Sequence, residues 1–143
     1  MTDLKKFIGV PYKFLGETFE GFDCIGAIKL YYRERGWPLV ESDGKPIDTD
    51  WYQKDKYRLA RYFLKHFDRI SDVELLRDGD IIMFEINGEA HVGVMVDSYG
   101  RFISTFPPVS RYNGGISFCD RLKFWLNMRG VKFISGFRRR GDN

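Results

Sequence analysis

Two runs of strand-forming residues in the second half of the chain have Asn87 and Gly88 in the segment between them. An Asn-Gly pair favours the type I′ turn of a two-residue hairpin, so the runs 81–86 and 91–96 are predicted to pair as antiparallel strands. A third run, 101–106, follows a longer turn over 97–100. Together the three runs predict an antiparallel meander, and this feature constrains the fold most.

The first half of the chain carries a helical pattern that starts at Cys24. Apolar residues then recur at helical spacing, namely Ile25, Ile28 and Tyr32. Asp23 directly precedes this run as a candidate N-cap, and Gly36 ends it in the manner of a C-terminal glycine. We therefore predict a helix from Cys24 to the residue before Gly36.

Further elements are predicted from the same two periodicities. A second helix is predicted over 51–67, where one face holds Leu59, Ala60, Phe63, Leu64 and Phe67. A short helix over 119–128 and a last strand over 131–137 complete the pattern. Helices first and an antiparallel sheet afterwards indicate an α+β fold, and 143 residues without a shift in composition indicate one domain over 1–143.

Charge and hydropathy exclude several classes of protein. The formal net charge of +3 is small and dispersed, which argues against nucleic-acid binding, and Arg138, Arg139 and Arg140 are read as a solvated terminus. No run approaches the roughly 18 apolar residues of a membrane span, and no signal peptide is visible. We therefore expect a chain that is cytoplasmic as synthesised, where Cys24 and Cys119 stay reduced.

Cys24 and His91 are the candidate reactive residues. A thiol at a helix N-terminus lies at the positive end of the helix dipole, which is expected to lower its pKa. A cysteine so placed and a histidine that opens a strand are the nucleophile and base of papain-type cysteine peptidases. The alternatives are a buried apolar cysteine with a structural histidine, or a zinc site built from Cys24, His91 and Cys119.

The predicted strand register selects a partner for His91. If the turn over 97–100 sets the register, Gly93 lies opposite Ser104, which then shares a face with His91 and lies diagonal to it. Ser104 is therefore predicted to orient the imidazole. Gly93 is expected to leave space beside His91 for a substrate backbone, and Gly26 to let another strand pack close to the helix start.

Four ordered segments resemble the motifs of the NlpC/P60 family of cell-wall cysteine peptidases. They are Val10-Pro11-Tyr12-Lys13-Phe14, Gly21-Phe22-Asp23-Cys24-Ile25-Gly26, Leu76-Arg77-Asp78-Gly79-Asp80-Ile81 and His91-Val92-Gly93-Val94. The resemblance implies a papain-like fold and cleavage of an amide next to D-glutamate in peptidoglycan stem peptides. It also implies Cys24 as nucleophile, His91 as base and no metal or other cofactor, with Tyr12 near the oxyanion site and Asp23 in substrate binding.

Two residues depart from the family pattern. The family usually has serine after the cysteine, where this chain has Ile25, and a histidine as third polar residue, where this chain has Ser104. A protein that binds a wall peptide or partner without cutting it is therefore an alternative function, and an acyl transferase on the same fold is another. The insertion over 39–75 resembles the subgroup of phage tails and prophages, which leaves open a virion-associated protein with tail partners or a free bacterial enzyme.

Overall fold

The computed structural model describes residues 3–38, 58–108 and 114–140. The strands are β1 (Glu17–Thr18), β2 (Gly21–Phe22), β3 (Phe67–Ile70), β4 (Ile81–Ile86), β5 (Glu89–Met95), β6 (Arg101–Ser104), β7 (Phe118–Arg121) and β8 (Val131–Arg139). The helices are α1 (Cys24–Arg35), α2 (Arg58–His66) and α3 (Leu122–Leu126), with 3-10 turns at Leu4–Phe7 and Val73–Leu75. The predicted α+β class is confirmed.

Six strands form one antiparallel sheet in the order β3-β8-β4-β5-β6-β7. β4, β5 and β6 are neighbours in chain order, as the predicted meander requires. Asn87 and Gly88 have φ angles of 51° and 87°, which are the two positive values of a type I′ turn. β4 has the predicted bounds, whereas β5 begins two residues early at Glu89 and β6 ends at Ser104.

Helix α1 begins where the sequence places its start. The Asp23 carboxylate caps it by accepting from the backbone N–H of Gly26 at 2.7 Å, and Gly36 ends it at φ 71°. Gly26 packs so closely on the Gly16 carbonyl oxygen that a β-carbon would overlap it. The predicted close approach is confirmed, but the prediction that a strand makes it is wrong, because Gly16 lies in a loop.

Apolar side chains form one core on each face of the sheet. The first lies between the sheet and α1 and contains Cys24, Ala27, Ile28, Val92, Val94 and Ile103, among others. The second lies on the other face and contains Phe84, Met95, Phe102, Phe106, Phe118 and Trp125, among others. This division follows from the two-residue period of the strands, since Val92 and Val94 face α1 while their neighbours face the second core.

Several predicted elements differ from the structure. The start of the predicted helix over 51–67 lies outside the described residues, and its end is wrong because Phe67 opens β3. Leu64 is half exposed instead of joining the apolar face. The predicted helix over 119–128 is also wrong at its start, because residues up to Arg121 pair with β6 as strand β7.

The C-terminal arginines are not simply a solvated terminus. Arg138 donates through Nε and an Nη to the two carboxylate oxygens of Asp80 at 2.9 and 2.7 Å, and Asp80 is almost fully buried. Arg139 stacks on the Trp37 ring at 3.7 Å from its centroid. These contacts hold the last strand against the Asp78-Gly79-Asp80 turn, because a buried carboxylate needs its charged partner.

Gly26→Ala tests the close approach at the start of α1. Alanine normally stabilises a helix interior by about 1 kcal/mol over glycine. Here the added methyl group would meet the Gly16 carbonyl, so we expect a loss of about 3 kcal/mol in the free energy of unfolding, measured in urea. Glu34→Ala, at an exposed position of the same helix, serves as the control. A gain in stability for Gly26→Ala would contradict the packing described.

Candidate active site

Cys24 is the first residue of α1 and is only 8% exposed. The backbone N–H groups of Ile25 and Val92 hydrogen-bond to its sulfur. The first belongs to the helix start, where N–H groups have no partner within the helix. The second belongs to β5, so the sulfur joins the helix to the sheet.

The sulfur lies in a gap in the β5–β6 pairing. Val96 N–H donates to the Arg101 carbonyl at 3.0 Å, and the last paired residues toward the site are Val94 and Ile103. Hydrogen-bonded pairs alternate in an antiparallel ladder, so the next rung would join Val92 to Thr105. Instead, Val92 N–H bonds the Cys24 sulfur and Val92 C=O accepts from Ser104 Oγ at 2.6 Å. The N–H groups of a strand point along the plane of the sheet. A sulfur bonded to the Val92 N–H therefore lies near that plane, between the face that packs on α1 and the face that carries the second core.

His91 lies one residue before Val92 and projects from the face that carries the second core. His91 is paired with Phe84 of the neighbouring strand β4. The centroid of its ring lies 4.4 Å from the centroid of the Phe106 ring. The imidazole is 6% exposed. The Cys24 sulfur therefore contacts the backbone of the residue next to the imidazole.

Ser104 shares the His91 face, and the predicted register is confirmed by the pairs Val94 with Ile103 and Met95 with Phe102. The hydroxyl is fully buried and donates to the Val92 carbonyl. The expected space beside Gly93 is wrong, because a β-carbon there would lie 2.7 Å from the Ile103 carbonyl oxygen. Gly93 permits close approach of β6 and leaves no channel for substrate at that point.

Burial controls the charge of both reactive groups. It raises the pKa of the Cys24 thiol, the negative charge of Asp23 raises it further, and nearby backbone N–H groups lower it by less. Burial also lowers the pKa of His91 to about 4. The N–H groups of the helix start thus lower the thiol pKa as predicted, but burial outweighs them and the net shift is upward. Both shifts favour a neutral thiol and a neutral imidazole in the resting chain.

Asp23 directly precedes Cys24 in the chain, and Tyr12 pairs with Phe22, two residues before Cys24. Both carboxylate oxygens of Asp23 are occupied, since Oδ1 accepts from Gly26 N–H and Oδ2 from Leu15 N–H at 2.9 Å. Burial raises the pKa of Asp23 against these two hydrogen bonds. Tyr12 forms a parallel bridge with Phe22 and is half-buried. The predicted role of Tyr12 near the oxyanion site stays a prediction.

Cys119 lies apart from this group, on β7 opposite Ile103. Both cysteines are free thiols. Within 3–38, 58–108 and 114–140, no cluster of three His, Cys, Asp or Glu side chains could hold a metal ion. The alternative of a zinc site at Cys24, His91 and Cys119 is therefore wrong, because these three residues do not converge.

Two contributors to the site were not identified from the sequence. Phe106 packs on the imidazole, and Val92 supplies both backbone groups at the gap. Side chains alternate between the two faces of the sheet along the run 101–106, which places Phe106 on the same face as Ser104. This pattern could have identified Phe106 from the sequence. Nothing local in the sequence marks the broken rung at Val92.

A family model described as NlpC/P60 family matches residues 9–111. The chain belongs to the NlpC/P60 family. Members of this family are generally cell-wall cysteine peptidases that act on peptidoglycan peptides. No curated protein sequence matches the chain. The phage-tail subgroup stays a prediction.

Solved structures similar to the chain include NlpC2 and NlpC1 from Trichomonas vaginalis, at 21% and 20% identity and TM-scores of 0.62 and 0.60. A Staphylococcus aureus NLP/P60-family protein described as similar to lipoprotein gives 24% identity and a TM-score of 0.54. Each alignment covers 95% of this chain, but only 43% of NlpC2, 41% of NlpC1 and 38% of the Staphylococcus aureus protein. At these identities the likeness shows the fold alone, and the chain spans less than half the length of these proteins. Among the residues described here, no helix has the length and apolar character needed to cross a membrane.

His91→Gln tests the neutral buried imidazole through the pH dependence of stability. Between pH 6.5 and about 4 the unfolded chain binds a proton at His91 that the folded chain does not. The free energy of unfolding is therefore expected to decrease as the pH is lowered through this window. The total decrease is about 3 kcal/mol relative to His91→Gln. Urea unfolding at a series of pH values measures the slope. His66→Gln, at the exposed histidine, should keep the parent slope, and equal slopes for the parent and His91→Gln would refute the assignment.

Proposed function

We propose that the chain is a cysteine peptidase that hydrolyses an amide bond in peptidoglycan stem peptides, with Cys24 as nucleophile and His91 as base. The observation that carries the proposal is the position of the Cys24 sulfur, at the helix start and against the Val92 backbone next to His91. Family membership supports the reaction class. The proposal is also supported by the backbone N–H donors beside the thiol and by the position of His91 as the residue before Val92.

The neutral state of the two groups favours general-base attack. In the first step the imidazole of His91 takes the Cys24 thiol proton while the sulfur bonds to the carbonyl carbon of the amide. The negative oxygen that forms is stabilised by the Cys24 backbone N–H and the Tyr12 hydroxyl. His91 then gives the proton to the departing amine, which leaves a thioester on Cys24.

Water completes the cycle. His91 takes a proton from water as the water oxygen attacks the thioester carbonyl, and the proton passes to the Cys24 sulfur as the acid product leaves. Because burial holds the pKa of His91 near 4, the imidazole stays available as a base well below pH 6. Burial of the thiol opposes a preformed thiolate–imidazolium pair, so proton transfer coincides with attack.

Ser104 is proposed to orient His91 while it binds Val92. A hydroxyl has one donor and two acceptor sites, so Ser104 Oγ can donate to the Val92 carbonyl and accept an imidazole N–H at once. Asp23 is proposed to contribute to substrate binding through the loop that it fixes at Leu15. Ile25 packs against the first core and has no polar atom for the stem peptide. The substrate is proposed to bind with its scissile amide next to D-glutamate.

A protein that binds wall peptides without cutting them is the second candidate. It is favoured by the burial of Cys24 and by the Ile25 side chain, which cannot donate or accept a hydrogen bond. Muropeptide binding by the unmodified protein, with no new fragment in its mass spectrum, would select this candidate over the peptidase.

Cys24→Ala and His91→Ala are each expected to abolish amide cleavage, because the first removes the nucleophile and the second removes the base. Mass spectrometry of muropeptides after incubation measures the cleavage. Cys119→Ser is the matched control, since that thiol lies on β7 away from the gap, and it should keep nearly full activity. Full hydrolysis by Cys24→Ala would exclude the proposed nucleophile.

Ser104→Ala separates orientation of the imidazole from simple packing. The variant leaves the Val92 carbonyl without its buried donor, which is expected to cost about 1 to 3 kcal/mol of stability. Turnover should fall by about tenfold, on the order of 1.4 kcal/mol at the transition state, with KM nearly unchanged. Steady-state kinetics on a purified muropeptide measures both constants. Unchanged kcat in a destabilised variant would leave Ser104 as a structural residue.

A further inference from the structure

Thr105 carries a buried hydroxyl at the gap between β5 and β6. The residue is 1% exposed, and its Oγ1 has no hydrogen-bond partner in the described part of the chain. Buried hydroxyls are almost always hydrogen-bonded, because an unmade bond costs folding free energy. An unpaired one next to a reactive group therefore points to a function.

Alternation along the chain fixes the side on which Thr105 lies. Ser104 lies against the Gly93 face, and the Phe106 ring contacts His91 on that same face. Thr105 lies between them and so projects to the opposite face, where α1 packs. If the pairing of Val94 with Ile103 is continued by two residues on each strand, Thr105 lies opposite Val92. The N–H of Val92 bonds the Cys24 sulfur. The sulfur thus has His91 toward one face of the sheet and Thr105 toward the other.

In the resting structure the Thr105 hydroxyl makes no hydrogen bond to the Cys24 sulfur, and the charge of the sulfur decides whether it would make one. A neutral thiol is a weak hydrogen-bond acceptor, whereas a thiolate is charged and accepts strongly. A donor that bonds sulfur only once its proton has left stabilises the reacting state over the resting state, which is the condition for catalysis. Rotation of the Thr105 side chain about χ1 would bring its Oγ1 to the sulfur and supply that donor.

We propose that the Thr105 hydroxyl donates a hydrogen bond to the Cys24 sulfur when the thiol loses its proton to His91. The inference rests on the proposed nucleophile. It assigns to Thr105 a role in stabilising the thiolate. The carboxylate of Asp23 has the opposite effect, because its negative charge raises the pKa of the thiol. Asp23 is the titratable group whose charge acts on the sulfur, His91 is the neighbour of Val92, and both residues are left unchanged in the test.

The test compares Thr105→Val and Thr105→Ser in a Cys119→Ser background, where Cys24 is the remaining cysteine. Valine keeps the shape of threonine without the hydroxyl, and serine keeps the hydroxyl without the methyl group. The second-order rate of alkylation by iodoacetamide at pH 8 reports the reactivity of Cys24 as thiolate. Thermal unfolding of each variant reports stability.

Thr105→Val is expected to react about tenfold more slowly, which corresponds to a thiol pKa higher by about one unit. Its thermal midpoint should equal or exceed the parent value, because an unpaired buried hydroxyl has been removed. Thr105→Ser should react within about twofold of the parent. Alkylation of Thr105→Val at the parent rate would overturn the inference, and so would an equal loss in both variants, since that result would assign the effect to packing of the methyl group.

The readout also separates this inference from the proposed function. Alkylation requires only Cys24 and not a muropeptide, so a protein that never cleaves an amide can still show the expected pattern. In that case the peptidase proposal fails and the role of Thr105 stands. If the parent cleaves muropeptides and Thr105→Val alkylates normally, the peptidase proposal stands and the role of Thr105 is refuted.

Discussion

The peptide groups of Val92 are the constraint on which the candidate site depends. An antiparallel ladder would pair them with Thr105, yet the N–H bonds the Cys24 sulfur and the C=O accepts from Ser104. Both buried backbone groups are therefore satisfied without the rung, so the strands can part without the usual cost of a lost bond. The parting admits a side chain from α1 into the plane of the sheet.

The position of α1 follows from contacts at its first turn. Asp23 binds both the helix start and the loop at Leu15, and Gly26 allows the Gly16 carbonyl to pack against the helix. A larger residue at either contact would move the helix start away from β5. Because the sulfur bonds Val92 at the same turn, these contacts also set the position of the thiol relative to His91. The contacts that cap the helix therefore also determine where the thiol lies on the sheet.

Features determined by local pattern were predictable from the sequence. The bounds of α1 follow from Asp23 and Gly36, the hairpin from Asn87 and Gly88, and the placement of Ser104 on the His91 face from strand alternation. Features determined by distant partners were not predictable in this way. Residues 119–121 have a helical pattern, yet pairing with β6 makes them strand, which is tertiary context overriding propensity. Arg138 likewise resembles a solvated tail until Asp80, far away in sequence, is seen to bind it.

The charge of the thiol shows the same contrast between local and global effects. The helix N-terminus stabilises a thiolate by a modest amount, since the dipole acts over one turn with about half a charge. Removing the thiolate from water costs more, and the Asp23 carboxylate adds repulsion, so burial decides the direction of the pKa shift. A neutral thiol is also a slow target for oxidation, because the thiolate is the reactive form. In the proposed mechanism, charge on the sulfur becomes favourable only as His91 takes the proton and donors at the gap converge on the sulfur. The burial that keeps the resting thiol unreactive would then also strengthen each hydrogen bond to the thiolate, because a low local dielectric weakens the screening of both effects.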